Sequence, residues 1–265
     1  MKLSVLVDNN SHDGSCLISE HGLSFFIEEG NSKVLFDCGS SDAFIKNAYN
    51  MQIDLSKVTD IVLSHGHSDH IGGFPRLQAL YEQFQKFGIE FVEKRLISHP
   101  EVFKPENGEI YDGQNFKLSR EEVDKFFNLV LEKDAKYITK NLVYLGEIPL
   151  MYGEIKKDYI ADETALVYKG KNGLVIMSGC SHSGLRNIIE RAKYVCCSEK
   201  IDTIIGGIYL INRNEDEINT LGKYLKTQDI THIFPCHCTD IEAKTILSKY
   251  VNIEEVSTGR EYIFE

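Results

Sequence analysis

The chain has 265 residues, 42% hydrophobic and 26% charged, with 29 Lys plus Arg against 40 Asp plus Glu for a formal charge of -11. Enough apolar side chain is present for one substantial core, and with no Pro- or Gly-rich tract neither disorder nor a fibrous repeat is a reasonable reading. The negative charge disfavours nucleic acid and anionic lipid as partners, because phosphate repels it at long range.

Met1 to Asp8 is too short for a signal or membrane segment, and the seven Cys form no C-x-x-C pair and no framework spacing. A cytoplasmic protein in a reducing compartment, free of membrane, is therefore expected. Short apolar strands bounded by turn residues are predicted at Leu3–Val7, Leu23–Glu28, Val34–Asp37, Ile61–Ser64, Leu96–Ser98, Ala165–Tyr168, Leu174–Ser178, Thr203–Gly206 and His232–Pro235. Helical spacing covers Ser41–Asn50, Pro75–Phe87, Leu185–Cys197, Glu215–Lys226 and Ile241–Tyr250, mostly introduced by Ser, Asp or Gly. A mixed α/β layering follows, as a single domain over 1–265.

Lys33-Val-Leu-Phe-Asp-Cys-Gly-Ser echoes Leu174-Val-Ile-Met-Ser-Gly-Cys-Ser, each a buried strand opening into a Gly/Cys/Ser turn, which suggests a duplicated half. Between about 100 and 162 the pattern loosens. Turns are expected at Pro105-Glu-Asn-Gly and Tyr111-Asp-Gly and a charged helix near Ser119–Phe127, an insertion that either covers a pocket or decorates the surface. Cys196 and Cys197 fall in a helical pattern and read as buried structural residues.

Chemistry concentrates in Ile61-Val-Leu-Ser-His-Gly-His-Ser-Asp-His-Ile-Gly-Gly, a buried strand running into three His and one Asp within six residues. His65 and His67 alternate about a glycine and can converge on one ion, while Asp69 and His70 can reach a second. One loop cannot close two metal sites, so further donors are needed. Ser178-Gly-Cys-Ser-His182-Ser-Gly and Phe234-Pro-Cys-His237-Cys each follow a strand, where ligands gather in open α/β sheets. Cys180, Cys236 and Cys238 all lie within two residues of a His.

These motifs resemble the metallo-β-lactamase superfamily, through H-x-H-x-D-H followed by Gly-Gly and the upstream Phe36-Asp-Cys-Gly. More narrowly, the chain resembles the branch named for 7,8-dihydropterin-6-methyl-4-(β-D-ribofuranosyl)aminobenzene-5′-phosphate synthase. The residues behind that are Leu6-Val-Asp-Asn, Glu20-His-Gly-Leu-Ser, Gly179-Cys-Ser-His-Ser-Gly, Gly206-Gly-Ile-Tyr-Leu and Pro235-Cys-His-Cys-Thr. The resemblance implies an αββα sandwich of two mixed sheets flanked by helices, with two divalent metal ions, zinc first and iron or manganese as alternatives. His65, His67 and His182 would serve one metal, and Asp69, His70 and His237 the other, with Asp69 and His182 as the catalytic candidates.

The superfamily's bridging Asp looks replaced by Cys180, which either ligates or packs beneath the site; His182 is the favoured donor of that turn. Asp162 and Glu163 are fallback carboxylates or caps, and Asp37 suits a carboxylate that orients a ligand His. Tyr209 stands where the branch has His, either as a substrate-side group or as a core aromatic, and Asp240 stands where Gly is usual. His99 points into the pocket or, more readily, lies on the surface. His12, His21 and His232 stand outside any cluster and read as structural.

Hydrolysis of a small substrate, phosphate-bearing in one version, is the expected chemistry. A transferase or synthase condensing a pterin with an aminobenzene ribotide is the alternative. A redox di-iron protein or a structural zinc module comes third: redox relatives have a carboxylate at the position of His67 and an added flavin domain.

Overall fold

A computed structural model describes residues 1–12, 14–103, 123–124, 126–153 and 159–265. The turns expected at Pro105 and Tyr111 lie outside these residues, as does most of the helix expected near Ser119–Phe127. The described residues gather into two compact units, Met1–Glu132 with Ser257–Ile263, and Lys133–Val256 with Phe264–Glu265. Each unit contains one mixed sheet.

In the first unit, β1 (Lys2–Val7), β2 (Ser24–Glu29) and β3 (Ser32–Phe36) form an antiparallel meander. β4 (Asp60–Val62), β5 (Arg95–Ser98) and β6 (Asn128–Leu131) then add in parallel. β13 (Glu261–Ile263) returns to pair antiparallel with the other edge of β1. Parallel neighbours need crossovers, which α1 (Ala43–Asn50), α2 (Ser68–Ile71) and α3 (Phe74–Lys86) supply. Phe74, Leu77 and Tyr81 of α3 recur at helical spacing and join the buried cluster of Leu35, Phe44, Ile61 and Leu96.

The second unit repeats that order. β7 (Lys136–Tyr137), β8 (Leu142–Tyr144), β9 (Ala165–Lys169) and β10 (Leu174–Ser178) pair antiparallel in sequence. β11 (Ile201–Gly207) and β12 (His232–Cys236) follow in parallel. The crossovers are α4 (Leu185–Cys196) and α5 (Glu215–Lys226), with α6 (Ile241–Leu247) after β12. On α4, Leu185, Ile188, Ile189, Ala192 and Cys196 form one buried stripe. α5 opens on a capping box between Asn214 and Glu217, and Asp240 caps α6 by accepting from Ala243 N at 2.8 Å.

The echoed segments thus end the same kind of strand: β3 and β10 each have an antiparallel neighbour on one side and a parallel one on the other. The fold class is the one expected, two mixed sheets flanked by helices. Several local expectations change. The segment read as loosened contains β6, β7 and β8. Of the cysteine pair, only Cys196 is buried; Cys197 closes α4 in the left-handed conformation and is exposed. His99 is not on the surface: it is fully buried, and its Nδ1 accepts from Glu101 N at 3.2 Å at the head of a 3-10 turn.

Candidate metal centre

In the first unit the parallel strands β3, β4 and β5 deliver their carboxyl ends to one edge. β4 leads into the His/Asp loop, and β3 into Asp37, which is fully buried with φ 59°. Asp37 Oδ1 accepts from Ser64 N at 2.7 Å, and Oδ2 accepts from Ser64 Oγ at 2.6 Å and lies 2.7 Å from His70 Nδ1. Ser64 Oγ is in turn 2.9 Å from His65 Nδ1. One carboxylate therefore ties His70 directly and His65 through a hydroxyl, each by Nδ1, and turns both Nε2 atoms away from it.

His65 Nε2 lies 3.1 Å from His67 Nδ1, and the His65 and His70 ring centroids are 4.2 Å apart. His65 and His70 are fully buried, whereas the Asp69 side chain keeps 19% exposure, with Oδ2 3.7 Å from His70 Nε2. Three imidazoles and a carboxylate at one strand edge are residue types that could hold a hard or borderline divalent cation.

The loop is seated by the two glycines that follow it. A Cβ on Gly72 would meet Ser68 O at 2.4 Å and Ser40 O at 2.7 Å, and one on Gly73 would meet Cys38 O at 2.2 Å and Ser41 O at 2.3 Å. Only residues without a side chain let the His/Asp loop lie against segment 38–41. That segment is held from its other side by Glu20, whose carboxylate accepts from Ser40 N, Ser41 N and Ser41 Oγ.

The second unit gathers its polar residues at the same kind of edge, past β10, β11 and β12. Cys180 and Cys238, both 4% exposed, place their sulfurs 3.1 Å apart, and Tyr209 N donates to Cys238 Sγ at 3.1 Å. One ligand atom each of Cys180, His237 and Cys238 lies within 4.8 Å of the others. His182, 4% exposed, packs against Tyr209 with ring centroids 4.2 Å apart and planes tilted by 43°; Tyr209 is half-buried and also faces Arg213, so it is not a core aromatic.

Ser181, Tyr209 and His237 are non-glycine residues with φ of 67°, 51° and 51°, as Asp37 is in the first unit. Such conformations cost about 1–3 kcal/mol each and persist where surrounding contacts over-determine them.

Beneath this turn Glu163 is fully buried and accepts from His182 N and Ser183 N, both at 2.6 Å. Burial pushes its carboxyl up to about 7, against the pull of those same backbone donors. Glu163 therefore holds the backbone of the Cys180–Ser183 turn. Asp162 is half-exposed.

His21 is the residue that sequence reasoning missed. Its Nε2 lies 3.3 Å from Asp69 Oδ2, although it stands far from the loop in sequence. The signal available was the Glu20-His-Gly-Leu-Ser motif itself. His232 pairs with Glu254 at 2.5 Å and takes no part in these clusters.

The metallo-beta-lactamase superfamily model matches residues 19–82, which include the loop and its glycines. The solved structure of Tm1679, described as a metal-dependent hydrolase of the beta-lactamase superfamily, is 30% identical with a TM-score of 0.80, covering 99% of this chain and 98% of its own. The chain belongs to the metallo-β-lactamase superfamily. Within it, a 7,8-dihydropterin-6-methyl-4-(β-D-ribofuranosyl)-aminobenzene-5′-phosphate synthase of Methanocaldococcus jannaschii is 28% identical, over 93% of this chain and 90% of its own. A ribonuclease Z of Lactobacillus delbrueckii subsp. bulgaricus is 26% identical, over 83% and 81%. Among the described residues, no helix is long and apolar enough to cross a membrane.

Proposed function

We propose that the chain is a metal-dependent hydrolase of small molecules, with two divalent ions, zinc first, held by His65, His67 and His182 and by Asp69, His70 and His237. The same reading takes residues 1–265 as one domain, with the insertion at about 100–162, in a cytoplasmic protein. The observation that carries it is the buried Asp37 carboxylate, which ties His70 Nδ1 and, through Ser64, His65 Nδ1. Such ties fix tautomer and ring orientation in metal-ligating histidines and are of no use to a solvated His loop.

Held by these residues, two divalent ions would draw the pKa of a bound water towards neutrality and would offer positive charge to a carbonyl or phosphoryl oxygen. The protein's own part is orientation. Asp37 holds two ligand rings and Glu163 holds the turn that presents His182. Asp69, the more exposed donor, is the residue to receive a proton at its carboxylate, and His182 beside Tyr209 is the one to face substrate. Cys180 packs beneath the site in this reading. The charge of -11 favours a small substrate over RNA, despite the ribonuclease relative.

The synthase relative, similar over nearly the whole chain, supports transfer onto a phosphate-bearing substrate as the second reading. Metal content per chain, with phosphodiester, lactone and β-lactam reporters run beside a pterin condensation assay, separates the two. His67→Ala is expected to lose most metal from at least one site with its circular dichroism unchanged; full occupancy in that variant defeats the assignment. Cys180→Ser is expected to retain most metal and His182→Ala to lose it, and the reverse result would exchange the donor of that turn.

A further inference from the structure

We infer that His21 is a positioning residue of the metal centre, holding the Asp69 carboxylate through a hydrogen-bond relay that begins on its own loop. The inference rests on Asp69 being a ligand. Gly22 N donates to Asn9 Oδ1 at 3.1 Å, which fixes the Asn9 amide with its Nδ2 towards His21. Asn9 Nδ2 lies 3.3 Å from His21 Nδ1. An amide nitrogen only donates, so Nδ1 is the acceptor, the neutral ring carries its proton on Nε2, and Nε2 lies 3.3 Å from Asp69 Oδ2. The backbone amide of Gly22 thus dictates the tautomer that serves Asp69.

A surface His beside an Asp is ordinarily worth little, and the His21 side chain is 66% exposed. Here the backbone delivers the ring. Leu23 N donates to Asp69 O at 3.2 Å, and Ser40 Oγ donates to His21 O. A Cβ on Gly22, at φ 154°, would come within 2.6 Å of Asp69 O. The loop can therefore lie directly on the ligand loop only with glycine at 22, and little freedom is left for His21 to lose. A ligating carboxylate also accepts hydrogen bonds that set its angle and basicity, as Asp69 Oδ2, lying between His21 and His70, does here from His21, and loss of such partners typically weakens metal binding about 10–100-fold.

The test is zinc affinity of the purified full chain, with cobalt absorption in the visible as a reading of coordination geometry. His21→Ala is expected to weaken the more labile ion about 10–100-fold and to change the cobalt spectrum, with the circular dichroism intact. His21→Gln, whose terminal amide can donate from near the Nε2 position, is expected to restore most of the affinity. Wild-type affinity in His21→Ala together with metal loss in Asp69→Ala overturns the role of His21 and leaves the ligand assignment standing. Retention of both ions in Asp69→Ala overturns the assignment and the inference with it. Equal losses in His21→Ala and His21→Gln also overturn it, because the hydrogen bond would then not be what matters.

Discussion

At Glu163, burial and hydrogen bonding pull in opposite directions. Two backbone donors at 2.6 Å favour the carboxylate, while burial favours the acid and prevails, holding the group at about 7 against an ordinary 4.5. Between those values the folded chain keeps a proton that the unfolded chain has lost. The stability that this proton confers is fully present below about 4.5 and is lost as pH rises through about 7. Urea unfolding of the metal-free protein should therefore show a midpoint that falls from pH 5 to pH 7.5, with a flatter profile in Glu163→Gln; equal slopes in the two proteins would refute this. The residue also marks how far sequence could reach. The density of His65, His67, Asp69 and His70 was legible because all four lie on one loop. Glu163 and His21 act through tertiary approach, which leaves no local pattern, so one read as a fallback donor or cap and the other as structural.

Among the elements, β4 and β5 are joined to the turn before them by a buried cation. Lys94, 2% exposed, donates to the carbonyls of Ser56, Val58 and Val92 at 3.0 Å each, and its ammonium lies 4.5 Å from the Tyr81 ring centroid. Burial brings its pKa down to about 8. Lys94→Met keeps much of the apolar stem but leaves the three carbonyls without their donor, and should cost roughly 2–4 kcal/mol in urea unfolding; a change under about 0.5 kcal/mol would sink this account. The elements visible in sequence were those with a long apolar run or a helical stripe, such as β10 and α4. The strands that escaped were short: β7 has two residues, and β13 alternates between exposed and half-buried positions. Neither carries a hydrophobic period to read, since their pairing rests on backbone bonds to neighbours.

At the scale of the whole molecule, both units build their polar edge by the same recipe, an antiparallel meander followed by parallel strands whose carboxyl ends bear the His, Asp and Cys clusters. They differ in how the chain closes them. The first unit is finished by residues 257–263: β13 pairs with β1, Val5 N donates to Arg260 O, Thr258 N donates to Asn10 O, and Asp8 N donates to Thr258 Oγ. A chain ended at Val256 should lose hydrogen-exchange protection along β1, and unchanged β1 protection would contradict this. During synthesis the same dependence becomes a matter of time. At about 5–20 residues per second, β1 waits on the order of ten to fifty seconds for its outer partner to leave the ribosome. Throughout that interval it presents an open strand edge of the kind that aggregation and chaperones both recognise. The Asn10 carbonyl, next to the Asn9 that orients His21, gains its Thr258 partner only when that wait is over.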